Sequence, residues 1–191
     1  DNEFLELQIQ YQQQLTSGTT RTIERNTFER LEYFERSNAT TSITHNQFHT
    51  TMPVVMLELS VKDNAQLIVE HNEFKDAEAA TALAISADCN TAVYFRNNTF
   101  HNVQTTKLIE LQAQGIVDTV NCTYKELAYN IVTNTTTSML LHVVASGFTV
   151  AWNVFDAVVH NSFVINTAGT SQYVANNYWG TSSATEIRAK I

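Results

Sequence analysis

The stretch Val174-Ala175-Asn176-Asn177-Tyr178-Trp179-Gly180 contains the pattern that decides the fold, an asparagine followed two residues later by an aromatic residue. The same pair recurs upstream through the whole chain, at Asn2/Phe4, Asn26/Phe28, Asn46/Phe48, Asn72/Phe74, Asn98/Phe100 and Asn153/Phe155, and once with cysteine in the asparagine place, at Cys122/Tyr124. Successive pairs are 20 to 31 residues apart. A period of this size is typical of proteins built from stacked repeats.

Six of these eight anchor positions are preceded by an apolar residue at strand spacing, which predicts a short strand. The apolar residues three positions before an anchor are Ile23, Ile43, Val69, Phe95, Val150 and Val174. A second alternating run lies further upstream in most repeats, for example Met56-Leu57-Glu58-Leu59. In a strand, side chains alternate between the two faces, so a residue three positions after an inward apolar residue would point outward. For the anchor asparagine to point inward as well, the chain must bend before it. The Asn-x-aromatic segment then forms a third strand. Each repeat is therefore predicted to form one coil of three short strands.

Stacked coils explain this pattern better than hairpins do, because the two-residue Asn-Gly and Asp-Gly turns that hairpins favour are absent. We predict an all-β parallel β-helix of about seven to eight coils, in which each strand pairs in register with its equivalent in the next coil. The inward ladders are expected to contain Asn26, Asn46, Asn72, Asn98, Asn153, Asn177, Phe28, Phe48, Phe74, Phe100, Tyr124, Phe155 and Trp179. Cys122 is expected to lie in the asparagine row.

We divide the chain into residues 1–180, which form the coils, and residues 181–191, which form a C-terminal cap. Ser183-Ala184-Thr185-Glu186 matches a capping box, and Ile187 and Ile191 follow at helical spacing, so a short helix should cover the end of the core. The longest step between anchors is expected to hold an insertion at Tyr129–Ser138, because insertions in solenoids fall at bends.

The pattern resembles the right-handed parallel β-helix repeat family, the pectate-lyase-like superfold. The resemblance covers essentially the whole chain and rests on Arg25-Asn26-Thr27-Phe28, His71-Asn72-Glu73-Phe74, Asn97-Asn98-Thr99-Phe100 and Asn176-Asn177-Tyr178-Trp179-Gly180. It implies a right-handed solenoid but says little about activity, because this superfold hosts lyases, hydrolases, epimerases, adhesins and inert scaffolds. Large animal cell-surface proteins, among them an insect protein of tricellular junctions, carry such repeats.

The charge distribution excludes some classes of partner. The formal net charge is −8 and the Lys and Arg residues form no run, so no nucleic acid partner and no anionic membrane surface is expected. No apolar stretch approaches the length of a membrane span, so no direct membrane insertion is expected in this fragment. Because residue 1 falls inside a repeat, we expect the chain to be part of a larger protein.

Glycosylation sequons favour an extracellular or cell-surface location, although such motifs also arise by chance in a chain rich in Asn and Thr. Four sequons occur, starting at Asn38, Asn97, Asn121 and Asn134. Cys89 and Cys122 are expected not to be bonded to each other, because in the predicted register a strand of several residues separates them.

The sequence lacks the residue clusters with which enzymes of this superfold cleave acidic polysaccharides. Its six Asp residues are scattered, and no Asp-Asp, Gly-His-Gly or Arg-x-Lys segment occurs. A calcium ion takes six to eight oxygen ligands, several of them charged, which scattered carboxylates do not supply. We therefore expect neither a metal nor a cofactor.

The best remaining candidates stand just before the anchors. Arg25, His45 and His71 share the position one residue before, and Glu24, Glu70 and Arg96 share the position two residues before. A histidine beside a carboxylate can act as a general base, so in an enzyme the catalytic residues would be Arg25, His45, Glu70, His71 and Arg96. The favoured interpretation is an ordinary solvated bend.

Two further interpretations of the position before the anchor remain open. The two histidines could bind a metal on successive coils, although no third ligand is evident. Trp152 occupies the same position in a later repeat, where it would stack on a sugar, anchor a partner, or pack beneath the expected insertion.

These observations predict a non-catalytic extracellular β-helix scaffold or adhesion module, part of a larger cell-surface or secreted protein, with a protein or glycan partner at the cell surface. The alternative is a polysaccharide-active enzyme, a lyase, hydrolase or epimerase, that works on a polymer laid along the helix. Three or more Asp, Glu, His, Lys or Arg side chains converging on one face would favour the enzyme.

Overall fold

The computed structural model describes residues 2–11, 18–113, 124–144, 148–166, 173–180 and 185. Strands dominate these residues. Their bounds are β1 Asn2–Tyr11, β2 Thr20–Glu24, β3 Asn26–Arg36, β4 Thr40–Thr44, β5 Gln47–Phe48, β6 Val55–Lys62, β7 Gln66–Glu70, β8 Glu73–Ala87, β9 Ala92–Arg96, β10 Thr99–Ala113, β11 Lys125–Ala128, β12 Ile131–Val144, β13 Phe148–Ala151, β14 Val154–Asn166 and β15 Tyr173–Ala175.

The strands form two sheets, and every pairing among the described strands is parallel. The first sheet runs β1-β3-β5-β8-β10-β12-β14, with β6 between β3 and β8, and the second sheet runs β15-β13-β11-β9-β7-β4-β2. Each coil therefore adds its strands beside those of the coil before it. The chain is a parallel β-solenoid, which confirms the predicted all-β fold.

The number of coils and the number of strands in each coil differ from the prediction. About five turns, from Asn26 to Asn153, enclose the buried core, against the seven to eight coils expected from the repeat. Most coils also contain two strands rather than three, because β8, β10 and β12 continue round a bend without losing their parallel partners. The coil that contains Pro53 is the one divided into three, since proline has no N–H to donate.

Phenylalanine rings stack along the axis of the core. The ring centroids of Phe4, Phe28, Phe48, Phe74 and Phe100 lie 4.4 to 5.5 Å from their neighbours in the stack. Each fully buried ring contributes about 1.5–3 kcal/mol relative to an exposed one. At the other end of the solenoid, the rings of Phe155 and Trp179 stack at 4.9 Å.

Tyr124, which was predicted for the inward rows, does not lie in them, and Cys122, predicted for the asparagine row, is outside the described residues. Val132 pairs with Phe100 on one side and with Phe155 on the other, so it holds the place in the aromatic row that was expected for Tyr124. Tyr124 is 49% exposed. Asn130 takes the place expected for Cys122 in the asparagine row, since it bonds to both ladder neighbours.

This register also moves the insertion. Ile131 pairs with Thr99, and β12 follows without interruption, so Tyr129–Ser138 belongs to the regular coil. The extra residues of the long step instead lie between the end of β10 at Ala113 and the start of β11 at Lys125. The expected insertion site was wrong because the anchor of this coil is eight residues further along the chain than Cys122.

A buried polar cluster lies inside the solenoid near β2. The carboxylate of Glu35 is fully buried and accepts hydrogen bonds from Arg21, from the Tyr33 hydroxyl at 2.8 Å and from Ser37 Oγ at 2.5 Å. The Tyr33 hydroxyl also lies 2.6 Å from Thr41 Oγ1. Burial raises the pKa of Tyr33 well above its usual range, so the hydroxyl stays protonated and keeps donating to Glu35.

The expectation that Cys89 and Cys122 are not bonded to each other was also wrong. Cys89 is disulfide-bonded, and Cys122 is the other of the two cysteines in the sequence. The predicted separation assumed that Cys122 lies at the anchor bend, a place that Asn130 occupies. Apart from Thr185, the residues of the capping helix expected from Ser183 onward lie outside the described part of the chain. No helix in the described ranges is long and apolar enough to cross a membrane.

Candidate functional site

The site is built on a ladder of asparagine side chains that runs the length of the solenoid. Asn98, which is fully buried, is representative. Its Nδ2 donates to the carbonyl oxygens of Val69 and Arg96 and to Oδ1 of Asn130, all at 2.9 to 3.1 Å. Its backbone N–H donates to the same Asn130 oxygen at 3.0 Å. Equivalent bonds join the other anchors, so this bend is held rigidly in every coil.

The residue before each ladder asparagine adopts a left-handed backbone conformation and lies at the outer corner of the bend. We call these residues the arch row. Its members, all with φ between 55° and 60°, are Arg25, His45, His71, Asn97, Tyr129, Trp152 and Asn176. A non-glycine residue in this conformation costs about 1–2 kcal/mol, and the ladder bonds on both sides offset that cost.

The ionisable residues predicted as a catalytic group are engaged with one another in ordinary surface contacts. Arg96 donates to Glu70, and the hydrogen bond to Glu70 raises the pKa of Arg96. Arg25 lies 4.0 Å from the carboxylate of its neighbour Glu24.

The two histidines of the arch row contact each other. The rings of His45 and His71 stack with centroids 5.3 Å apart. Glu70, the carboxylate expected to serve them, is bound by Arg96. Within the described ranges, no group of three or more His, Cys, Asp or Glu side chains could hold a metal ion.

A second outward row follows the ladder asparagines by one residue and changes character along the solenoid. Its members pair in register from coil to coil and are Thr27, Gln47, Glu73, Thr99, Ile131, Val154 and Tyr178. The first four are polar and the last three are apolar. The arch row changes in the first two of these three coils, from charged and polar residues to Tyr129 and Trp152, and is polar again at Asn176.

The apolar members of these two rows form one exposed surface, which we call the aromatic patch. Its side chains are between 37% and 54% exposed, and they are Tyr129, Ile131, Trp152, Val154 and Tyr178. Sequence reasoning identified Trp152 alone. The residue between the anchor asparagine and the aromatic changes from polar to apolar at Val154 and Tyr178, and this change could have indicated the patch from the sequence. Ile131 could not be recognised in the same way, because the anchor of its coil was predicted at Cys122.

An ion cluster lies on the outer face of the first sheet, away from the patch. Glu110 Oε1 accepts from Lys107 Nζ at 2.7 Å and lies 2.9 Å from His142 Nδ1. Burial alone would raise the pKa of Glu110, but the bonds from Lys107 and His142 outweigh it and hold that pKa below its usual value. In the sequence, Glu110 and His142 stand in two alternating apolar runs that predict strands, and their contact was not predicted.

A shallow polar groove of about 310 Å³ crosses the first sheet where its strands bend. Asp76, Asn102 and Asn134 turn the chain there with left-handed backbones. Asn102 Nδ2 donates to Asp76 Oδ1 at 2.8 Å, so two of these three turns are bonded to each other. Amide and carboxylate groups of this kind can bind hydroxyl groups of a neutral ligand.

Three of the four sequon asparagines are described, and each is exposed at a bend. Asn38 lies between β3 and β4, Asn97 lies in the arch row, and Asn134 lies in the groove. Asn121 is outside the described residues. Comparison with protein families, curated proteins and solved structures finds no match to this chain.

Proposed function

We propose that this chain is a non-catalytic extracellular scaffold that binds a protein partner through the aromatic patch. The observation that carries the proposal is the patch itself, five adjacent apolar side chains exposed on a surface that is polar elsewhere along the same two rows. Contiguous exposed apolar patches of this kind mark interaction sites in soluble proteins.

The geometry of the patch suits binding. Tyr129 and Trp152 stand on backbone that the asparagine ladder holds in place, so little conformational entropy remains to be lost when a partner docks. Trp and Tyr are also the residues that most often dominate the binding energy of interfaces. A rigid arch with aromatic side chains is therefore a better anchor than a loop would be.

Two further observations support a location outside the cell. The disulfide at Cys89 is a bond that forms and persists in oxidising compartments. The sequon asparagines Asn38, Asn97 and Asn134 are exposed, as glycan acceptors must be.

A polysaccharide-active enzyme is the second candidate, and the cluster of Lys107, Glu110 and His142 is the observation that favours it. A histidine bonded to a carboxylate can act as a general base. Against this, the Glu110 oxygen that faces His142 also accepts a hydrogen bond from Lys107, and the polar groove is lined by other residues. The scaffold is favoured because binding through the aromatic patch requires only the side chains that are already exposed there.

The test is binding of the purified, fluorescently labelled protein to cells of its source organism. Trp152→Ala should weaken binding at least about tenfold, as expected for a central interface residue. His45→Ala, in the polar half of the same row, is the matched control and should bind like the wild type. Equal binding by both variants would contradict the proposal. Loss of binding after protease treatment of the cells, but not after glycosidase treatment, would identify the partner as protein.

A further inference from the structure

Asn97 and Tyr129 are neighbours in the arch row, on adjacent coils. The backbone N–H of Asn97 donates to the carbonyl oxygen of Ala128 at 3.3 Å, and Thr99 pairs with Ile131 just beyond the ladder. Both arch residues have left-handed backbones and exposed side chains. Their side chains therefore leave the solenoid side by side.

The histidine pair of the same row shows how close such neighbours come. His45 and His71 occupy equivalent positions on adjacent coils, and their ring centroids are 5.3 Å apart with an interplanar angle of 23°. Because the backbone of the arch repeats with φ near 56° in every coil, a group attached to Asn97 leaves the chain about one strand spacing, roughly 4.8 Å, from the Tyr129 side chain.

Asn97 is also the first residue of the sequon Asn97-Asn98-Thr99. The middle residue, Asn98, is buried in the ladder, so the fold turns the Asn97 side chain outward. We propose that Asn97 carries an N-linked glycan whose first N-acetylglucosamine packs its apolar ring face on Tyr129. The inference rests on the extracellular part of the proposed function and adds a modification site to it.

The attachment is a transfer of the sugar chain to the nascent polypeptide. The donor is a lipid-linked diphospho-oligosaccharide, whose bond between C1 of the first sugar and the diphosphate breaks. The Nδ2 atom of Asn97 forms the new bond to C1 and releases one proton, and the lipid diphosphate leaves. No oxidant or reductant is required.

The two other described sequons lack such a neighbour in the next coil. The position that follows Asn134 in register is Ala157, since Thr133 pairs with Asp156 and Thr135 with Val158. The position that follows Asn38 in register is Asn64, since the flanking pairs are Arg36 with Lys62 and Thr40 with Gln66. Aromatic side chains present a large apolar face, which amide side chains do not. A glycan at Asn97 would thus gain a contact that one at Asn38 does not, and it would cover Tyr129 at the edge of the aromatic patch.

The test uses the whole chain secreted from animal cells. Their secretory pathway supplies the lipid-linked oligosaccharide, wherever the protein is located in its source organism. Peptide mass spectrometry should find Asn97 occupied in the wild type and in Thr99→Ser, and unoccupied in Thr99→Val. An endoglycosidase then trims each glycan to a single N-acetylglucosamine. The trimmed wild type should melt about 2 °C or more above Thr99→Val, a shift expected for one aromatic contact in a chain of this length.

The role of the ring is tested in matched backgrounds. The difference in Tm between the protein with the trimmed sugar at Asn97 and the protein without it should persist in Tyr129→Phe, which keeps the ring. The same difference should disappear in Tyr129→Ala. An unoccupied Asn97, or a gain of equal size in Tyr129→Ala, would overturn the inference. Neither result depends on cell binding by Trp152, so failure here is distinguishable from failure of the proposed function.

Discussion

Asn98 donates its side-chain amide to Asn130 Oδ1 at 3.1 Å, across 32 residues of sequence. This bond spans the longest step of the ladder and decides the register of the two coils it joins. Because both asparagines are buried, every polar atom at this bend must find its partner within the protein. The bend is therefore the most specifically bonded part of each coil.

Replacing Asn98 with alanine should destabilise the protein by about 2–4 kcal/mol, because the substitution leaves buried carbonyl groups without their donor. Urea unfolding of Asn98→Ala measures the loss. Asn102→Ala is the control, since Asn102 is exposed at another bend, and it should cost well under half as much. Similar costs for the two variants would mean that the ladder contributes little.

Reduction of the disulfide at Cys89 should lower stability by about 3–4 kcal/mol, the loop-closure value for the roughly 30 residues that separate it from Cys122. The double variant Cys89→Ser with Cys122→Ser should show the same loss without reductant. Thermal melts with and without dithiothreitol provide the measurement. A double variant as stable as the oxidised wild type would contradict this expectation.

Lys125 should make stability depend on pH in the alkaline range. Its side chain lies in the inward row between Val93 and Phe148, and burial lowers the pKa of its ammonium group. The folded protein therefore loses this proton at a lower pH than the unfolded chain, in which lysine has a pKa of about 10.4. Stability should rise as the pH increases toward that value, because the unfolded chain then binds the extra proton.

The comparison that isolates this effect uses Lys125→Met. The free energy of unfolding of the wild type should increase, relative to that of Lys125→Met, as the pH rises through the alkaline range toward about 10.4. A difference that stays constant across this range would show that the lysine is not desolvated in the folded state.

The protein should not cleave pectate, alginate or similar acidic polymers, with or without calcium. Elimination at a uronate needs charge neutralisation near a poised base, and the net charge of −8 repels a polyanion. A turnover assay on a panel of such polymers checks this with the wild type, His71→Ala and Glu110→Gln. Turnover lost in His71→Ala would place a site in the arch row, and turnover lost in Glu110→Gln would place it on the first sheet.

The sequence alone determined the solenoid, because its signal is repeated. The step from asparagine to aromatic recurs with Phe28, Phe48, Phe74 and Phe100, and an inward ladder is the one arrangement that buries all of these rings together. Local alternation then showed where strands lie. A repeated pattern tolerates one error, which is why the misplaced anchor at Cys122 did not change the predicted fold.

The tertiary structure decided the features that depend on which residues face each other across coils. Asn130 has Val132 rather than an aromatic two residues later, so its place in the ladder follows from pairing with Asn98 and Asn153 and not from its local sequence. The aromatic patch likewise exists only because parallel register brings Tyr129 beside Trp152. Side chains 23 residues apart become neighbours when one coil is stacked on the next, and no single coil contains that information.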